Sequence, residues 1–332
     1  MPRFSSIRGS AARAPVRALG ALALLLLLPA AVRGDIALYQ AAVPLQGATE
    51  AGRAAGFGEA LRIAAVRASG RQAAATNPVI AAAAADPSRY VQQYSTTPDR
   101  MLKVGFDGRS VEQLLQQAGL PLWPAERPTT LVQLFVPSIA GGTRAVLASE
   151  RPPERAEIER AAQMRGVPLA WPQQAIDLAQ ARSSPAAAAG SAAQAVLVGV
   201  SAGARIDWKF LHADQRTQTQ GGPAAGANLA ADSLAARYAP ASTLGLTTQS
   251  VRVGGVTDLQ AYAGLLEYLQ SLSLVRAVAV EELAGETVRL KLSLRGDVEL
   301  LRRIAALDTH LQAGVRAAEP PGAEGTDFTW QP

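Results

Sequence analysis

The chain has 332 residues, with 32 Lys+Arg against 27 Asp+Glu and no cysteine. The missing thiols exclude disulfides, thiolate metal sites and a lipidated cysteine anchor. Arg3, Arg8, Arg13, Arg17 and Arg33 fall in residues 1–34, which hold no acid, so the rest of the chain carries 27 charges of each sign. No nucleic-acid partner is expected, since that needs a surplus of cation on the folded part.

Four of those arginines precede an apolar run from Leu19 to Leu28, which Pro29 breaks, and small residues follow at Val32 and Gly34. This is the order of a secretory signal peptide. A bilayer span needs roughly 20 apolar residues, and the run is about half of that. The expectation is a signal peptide over residues 1–34, cut after Gly34, and a periplasmic protein with no stable membrane span after cleavage.

Residues 35–126 read as an N-terminal α+β module. A short extended stretch is bracketed by Ile36, Leu38, Val43 and Leu45. Thr49 and Glu50 then open a helix whose stripe is Phe57, Leu61, Ala64, Ala65 and Ala68, and Gly70 stops it. Asn77-Pro78 starts a second helix, over Val79–Ala85. Tyr90–Tyr94 and Met101–Phe106 read as a hairpin around Thr97-Pro98-Asp99. Asp107 and Ser110 stand where an N-cap belongs for a helix over Val111–Ala118. The order β–α–α–β–β–α is a helix-on-antiparallel-sheet unit.

Residues 127–243 read as a middle α/β module. Leu131–Val136 is a buried strand and Ala145–Leu147 a second. Pro152-Pro153 leads into a charged helix over Glu154–Arg165. Its acids Glu154, Glu157 and Glu159 interleave with Arg151, Arg155 and Arg160, the pattern of an exposed, salt-bridged face. Leu169–Trp171 is extended, and a helix is predicted at Gln174–Ala181. Ser183–Ser191 is a low-complexity connector. Ala195–Val200 and Arg205–Leu211 pair as strands, with Ile206, Trp208 and Phe210 alternating. Gln215–Ala227 reads as a mobile Gly-rich loop before a helix at Asn228–Ala239.

Residues 244–332 form the clearest module. Leu246–Val253 is a strand, and Thr257 and Asp258 cap a helix running to Ser271. Val275–Val280 and the cleanly alternating Val288, Leu290, Leu292 and Leu294 follow. Gly296-Asp297 opens another helix, and Phe328–Trp330 is a last strand. The order β–α–β–β–α–β predicts a ferredoxin-like module. That fold hosts many functions and decides little about chemistry.

Several runs resemble the bacterial family known as domain of unknown function 2066. In the first block they are Leu38–Pro44, Arg67–Gly70, Pro87–Tyr94, Leu102–Asp107, Gly119–Trp123 and Arg127-Pro128. In the second they are Arg165–Leu169 and Val196–Gly199. The resemblance covers about residues 35–300 and implies an exported protein of Gram-negative bacteria. It brings no activity, cofactor or site residue.

Candidate chemistry is sparse. Gly199-Val200-Ser201-Ala202-Gly203 fits the G-x-S-x-G nucleophile elbow and follows an apolar strand. Asp258 or Asp297, then His310, would complete a Ser…Asp…His order. The elbow needs a helix after the serine, and Arg205–Leu211 reads as a strand, so a plain hairpin turn is the favoured account. His212 and His310 are the only histidines, too far apart in sequence for a ligand-pair spacing. Glu281, Glu282 and Glu286 flank a turn without a calcium-loop pattern. Gly254-Gly255 lacks the third glycine and the lysine of a phosphate loop. Trp123, Trp171, Trp208 and Trp330 suit a core or a groove for glycan or peptide.

No cofactor, metal site or catalytic residue is expected, with Ser201 and His310 as the alternative pair. The leading expectation is an exported, non-enzymatic module that binds an envelope protein or a cell-wall component. The alternatives are a serine hydrolase using Ser201 and a cell-wall glycan binder.

Overall fold

The structure, a computed structural model, describes residues 38–47, 49–183, 193–203, 205–240, 245–314 and 326–331. The expected signal peptide, nearly all of the Ser183–Ser191 connector and the segment Glu319–Gly325 lie outside the described residues. No helix within them is long and apolar enough to cross a membrane.

The N-terminal module runs β1 (Gln40–Pro44), α1 (Glu50–Ser69), α2 (Pro78–Ala85), β2 (Val91–Thr96), β3 (Met101–Phe106) and α3 (Gly108–Gln117). Local chemistry sets its helix ends. The side chains of Thr49, Asn77 and Asp107 accept backbone N–H groups of the first turns they precede, and Gly70 takes the left-handed conformation that closes α1. The antiparallel sheet has the order β1-β3-β2. Its apolar side buries Val43, Leu102 and Val104 against Leu61, Ala64 and Ala68 of α1 and Leu114 and Leu115 of α3.

The middle module runs β4 (Thr130–Pro137), β5 (Thr143–Ala145), α4 (Pro153–Arg165), β6 (Leu169–Ala170), α5 (Leu178–Ser183), β7 (Ala195–Ala202), β8 (Arg205–His212), β9 (Gln215–Gly221) and α6 (Pro223–Tyr238). The strand order is β5-β4-β7-β8-β9, and β6 pairs with β4. Three expectations are corrected here. The segment Gln215–Ala227, read as a loop, is β9 and the start of α6. Its polar strand residues pair throughout with β8, so backbone bonding rather than an apolar alternation makes the strand. The helix expected at Gln174–Ala181 begins at Leu178, with Asp177 accepting the N–H of Ala179 (2.7 Å). The charged helix α4 is not wholly a solvated face. Arg155 is buried, stacks 4.5 Å from the Trp171 ring centroid, and donates to the carbonyls of Leu147, Ala148 and Glu150 as well as to Glu159.

The C-terminal module runs β10 (Leu246–Gly254), α7 (Leu259–Ser271), β11 (Val275–Ala284), β12 (Thr287–Arg295), α8 (Val298–Ala305), β13 (Leu311–Ala313) and β14 (Phe328–Trp330), with the order β11-β12-β10-β14-β13. The protein is α+β, as expected. The finer ferredoxin-like expectation needs a correction at one edge. A crossover from β12 through α8 would set a strand antiparallel to β10 at its side. That strand is β13, but β14 is inserted between them and runs parallel to β10.

Each expected module thus has its own sheet, and the described residues belong to one compact unit. One continuous core joins Leu134, Leu197, Phe210 and Leu234 of the middle module to Val253, Leu265, Leu290 and Leu301 of the C-terminal one. Two buried arginines, Arg127 and Arg165, fasten the N-terminal module to the middle one, and a third, Arg67, braces α1 within the N-terminal module. Arg67 donates to the Gln40 carbonyl at 2.5 Å. Arg127 donates to the carbonyls of Arg67, Trp123, Pro124 and Gly166. Arg165 donates to the Gly70 carbonyl and to Asn228 and Asp232. Burial, then the Arg67 charge, push Arg127 down to about 9, which leaves it charged at neutral pH.

Candidate functional site

The middle sheet has two unlike faces. Along β8 the burial alternates, so Ile206, Trp208, Phe210 and His212 turn inward while Arg205, Asp207 and Lys209 are exposed on the other side. The register carries this pattern across the sheet. Leu197 and Gly199 of β7 stand opposite Phe210 and Trp208, and Thr217 and Thr219 of β9 extend the same inner face. Helix α6 covers it, with Thr217 and Ser233 hydroxyls 3.0 Å apart. The Trp208 ring is slotted between Gly199 and Gly226, where an added Cβ would stand within 2.8 Å of ring atoms.

The outer face is covered only in part. Ala181 of α5 packs on Phe135, Val196 and Val198, and beyond it the sheet is open among the described residues. Two adjoining hollows lie there, of about 460 and 250 Å³. Val198 and Val200 form the apolar floor, Arg182 stands at the α5 rim, and Asp207, Lys209, Arg216, Gln218 and Gln220 rise from β8 and β9. Three cations face one acid. β9 ends the sheet order, so its outer backbone edge adjoins the same trough. The site offers apolar contact, amide hydrogen bonding and carboxylate pairing over an extended length. The alternation in β8 already put Asp207 and Lys209 on one side in the sequence. The Gln218/Gln220 contribution was hidden because β9 has no apolar residue.

Ser201 lies on β7 opposite Ile206, and the chain turns at Gly203 (φ +72°) directly into β8. The turn is strand-to-strand, so it lacks the helix an elbow needs. The glycines of the pattern have separate local causes: Gly199 gives room to Trp208, and Gly203 adopts the left-handed turn conformation. Asp258 and Asp297 accept the N–H groups of Ala261 and Leu300 as N-caps of α7 and α8. His310 belongs to the other sheet's rim, its ring stacked on Tyr268 (centroids 5.5 Å) and its Nδ1 3.8 Å from Asp308. The structure therefore places Ser201 on the middle sheet and His310 just before β13, at the rim of the C-terminal sheet.

His212 is buried and held on both nitrogens. Nδ1 is 2.8 Å from the Gln194 carbonyl and Nε2 is 2.8 Å from the Tyr238 hydroxyl. A carbonyl only accepts, so Nδ1 carries the proton and Nε2 accepts from Tyr238. Burial above all pushes the imidazole below its ordinary value. The four tryptophans are all buried, which makes them core rather than a groove lining. Glu281 accepts the Ser250 hydroxyl and Glu282 pairs with Arg289. Among the described residues no group of three His, Cys, Asp or Glu is placed to hold a metal ion.

A second charged cluster, unmarked in the sequence, joins the first and third modules. Glu112 of α3 accepts from the Tyr39 hydroxyl (2.9 Å), from Arg276 (2.6 Å) and from Arg295 (3.1 Å). Burial works to raise this carboxyl, but Arg295, Tyr39 and Arg276 together outweigh it and hold it below the usual carboxylate range. Burial and then the Glu112 charge push the Tyr39 phenol up.

A family model described as a domain of unknown function, DUF8605, matches residues 35–124. This corrects the resemblance to domain of unknown function 2066, whose first-block runs fall mostly within the matched stretch. No curated protein and no solved structure matches the chain. The N-terminal module, from β1 through α3 to the Trp123 junction, is what this chain has in common with the DUF8605 family.

Proposed function

We propose that this chain is a non-catalytic protein of the periplasm, and that the trough on β7–β9 takes an extended acidic segment of an envelope protein. The observation that carries the reading is the outer face, which is open among the described residues. Arg182, Lys209 and Arg216 outnumber Asp207 above the aliphatic floor of Val198 and Val200. An extended peptide could lie along the β9 edge, its backbone meeting the strand and its carboxylates the cations. The signal-peptide pattern of residues 1–34, Arg3 to Arg17 before the apolar run Leu19–Leu28, is what supports export in this reading.

Site-specific photocrosslinking in living cells tests this. A benzophenone residue at Gln218 or Gln220 is expected to give a discrete protein adduct, and Lys209→Glu combined with Arg216→Glu to abolish it. Adducts that ignore the charge reversal, or none from the trough, would sink the proposal. Co-sedimentation of the purified chain with sacculi that the same charge reversal abolishes would replace the protein partner by a glycan. Fluorophosphonate labelling lost in Ser201→Ala would replace binding by hydrolysis.

A further inference from the structure

We propose that the cleft between α3 and the β10–β12 sheet binds a small amphipathic anion, a carboxylate or phosphate monoester on an apolar body. The cleft measures about 460 Å³ and is the kind of space between modules that small ligands occupy. Arg109, Glu112, Gln113 and Gln116 line one wall. Their i, i+3, i+4, i+7 spacing makes them one stripe of α3, whose opposite side buries Val111 and Leu114. The facing wall supplies Arg276 and Arg295.

The charges do not balance. Arg276 and Arg295 both spend an Nη2 donor on a single oxygen of Glu112, whose other oxygen takes Tyr39. A guanidinium has five N–H donors and keeps its charge, so each retains hydrogen-bonding capacity beyond Glu112. Arg109 is exposed and makes no ion pair among the described residues, and Asp107, whose charge reaches it, is committed to capping α3. Three cations thus line a cleft with one acid that is already shared. Beside them Leu122, Pro240 and Leu246 make an apolar wall, and Leu246 is 59% exposed. A staple holding α3 to β12 accounts for Glu112 and its partners. It does not account for Arg109 or for a Leu246 left exposed among the described residues on the same cleft. A charged head among the arginines and an apolar body on Leu246 use both.

The test is displacement of the fluorescent probe 1-anilinonaphthalene-8-sulfonate from the purified protein. Decanoate or decyl phosphate is expected to displace it at roughly tenfold lower concentration than decanol or inorganic phosphate. Arg109→Glu and Leu246→Asp change exposed side chains. Each is expected to weaken decanoate displacement about tenfold while the circular dichroism spectrum is kept. Equal competition by decanol, or displacement unchanged in both variants, overturns the site. Vesicles containing phosphatidylglycerol identify the source of the anion. Flotation that Arg109→Glu abolishes supports the site with a lipid headgroup as ligand. Decanoate displacement without flotation supports it with a soluble amphiphile. Flotation that the variant leaves intact overturns it.

Discussion

The Arg127 guanidinium lies 4.0 Å from the centroid of the Trp123 ring, and the carbonyls of Trp123 and Pro124 accept from the same side chain. Two further carbonyls, from α1 and from the end of α4, complete its hydrogen bonds. Arg127→Lys keeps the charge but loses the plane and the fork that meet this arrangement. Each orphaned buried group costs about 1–3 kcal/mol, so the variant is expected to lose roughly 3 kcal/mol. Urea unfolding measures it, and a loss within error of zero would show that the junction is held without this side chain.

Gly166 ends α4 at φ +70°, and an added Cβ would stand 2.6 Å from Arg67 Cγ. Gly166→Ala meets a left-handed backbone penalty and overpacking together, about 2–4 kcal/mol. Gly119 has a similar φ (+66°) but open space around it, so Gly119→Ala should cost only the backbone part. Thermal melts of the two variants should therefore separate, with the Gly166 variant the less stable. Equal melting temperatures would mean that the arginine cluster yields to the extra methyl.

The Gly-x-Ser-x-Gly run makes opposite predictions for neighbouring residues. Gly199→Ala pushes into the Trp208 ring and should destabilise by about 1–3 kcal/mol. Ser201→Ala removes a half-buried hydroxyl whose hydrogen bond, to Gly203, is 3.5 Å long, and should stay within about 0.5 kcal/mol. Chemical denaturation of both, read by Trp fluorescence, distinguishes a packing motif from one kept for its serine.

His212 links stability to pH. Its folded value is depressed, chiefly by burial, so the unfolded chain binds more protons as the pH drops. The contribution of neutral His212 is complete above the unfolded value of about 6.5 and is lost as pH falls from there through the lower folded value. The urea midpoint should decline between pH 7 and 5, and His212→Gln should flatten the decline. Parallel pH profiles for the two proteins would remove His212 as the cause.

The parts of the fold visible in the sequence are those where one residue type does one job. The alternation of Val288, Leu290, Leu292 and Leu294 is the buried face of β12, and Thr49, Asn77, Asp107, Asp258 and Asp297 cap the helices they precede. Strand β9 escaped because its residues are polar on both faces, and pairing with β8 is what extends them. β11 runs past Val280 to Ala284, through an irregularity between Val280 and Glu282 that breaks the two-residue alternation. The binding surfaces were harder still. Lys209 and Gln218 look like ordinary solvated residues until the hairpin sets them in register. Arg276 and Arg295 meet Glu112 across more than 160 positions of chain, which no local pattern can announce.

All the hydrogen-bond acceptors of Arg127 are peptide oxygens. Every amino acid supplies one, so the identities of those neighbours carry little of the information that locks the junction. In a library of randomised variants selected for folding, Pro124 should drift freely provided its carbonyl stays in place. Arg127, and Gly166 at the tip of its guanidinium, should resist exchange. The recognition between the two modules is thus written in the course of the main chain, with Arg127 and Arg165 as its readers.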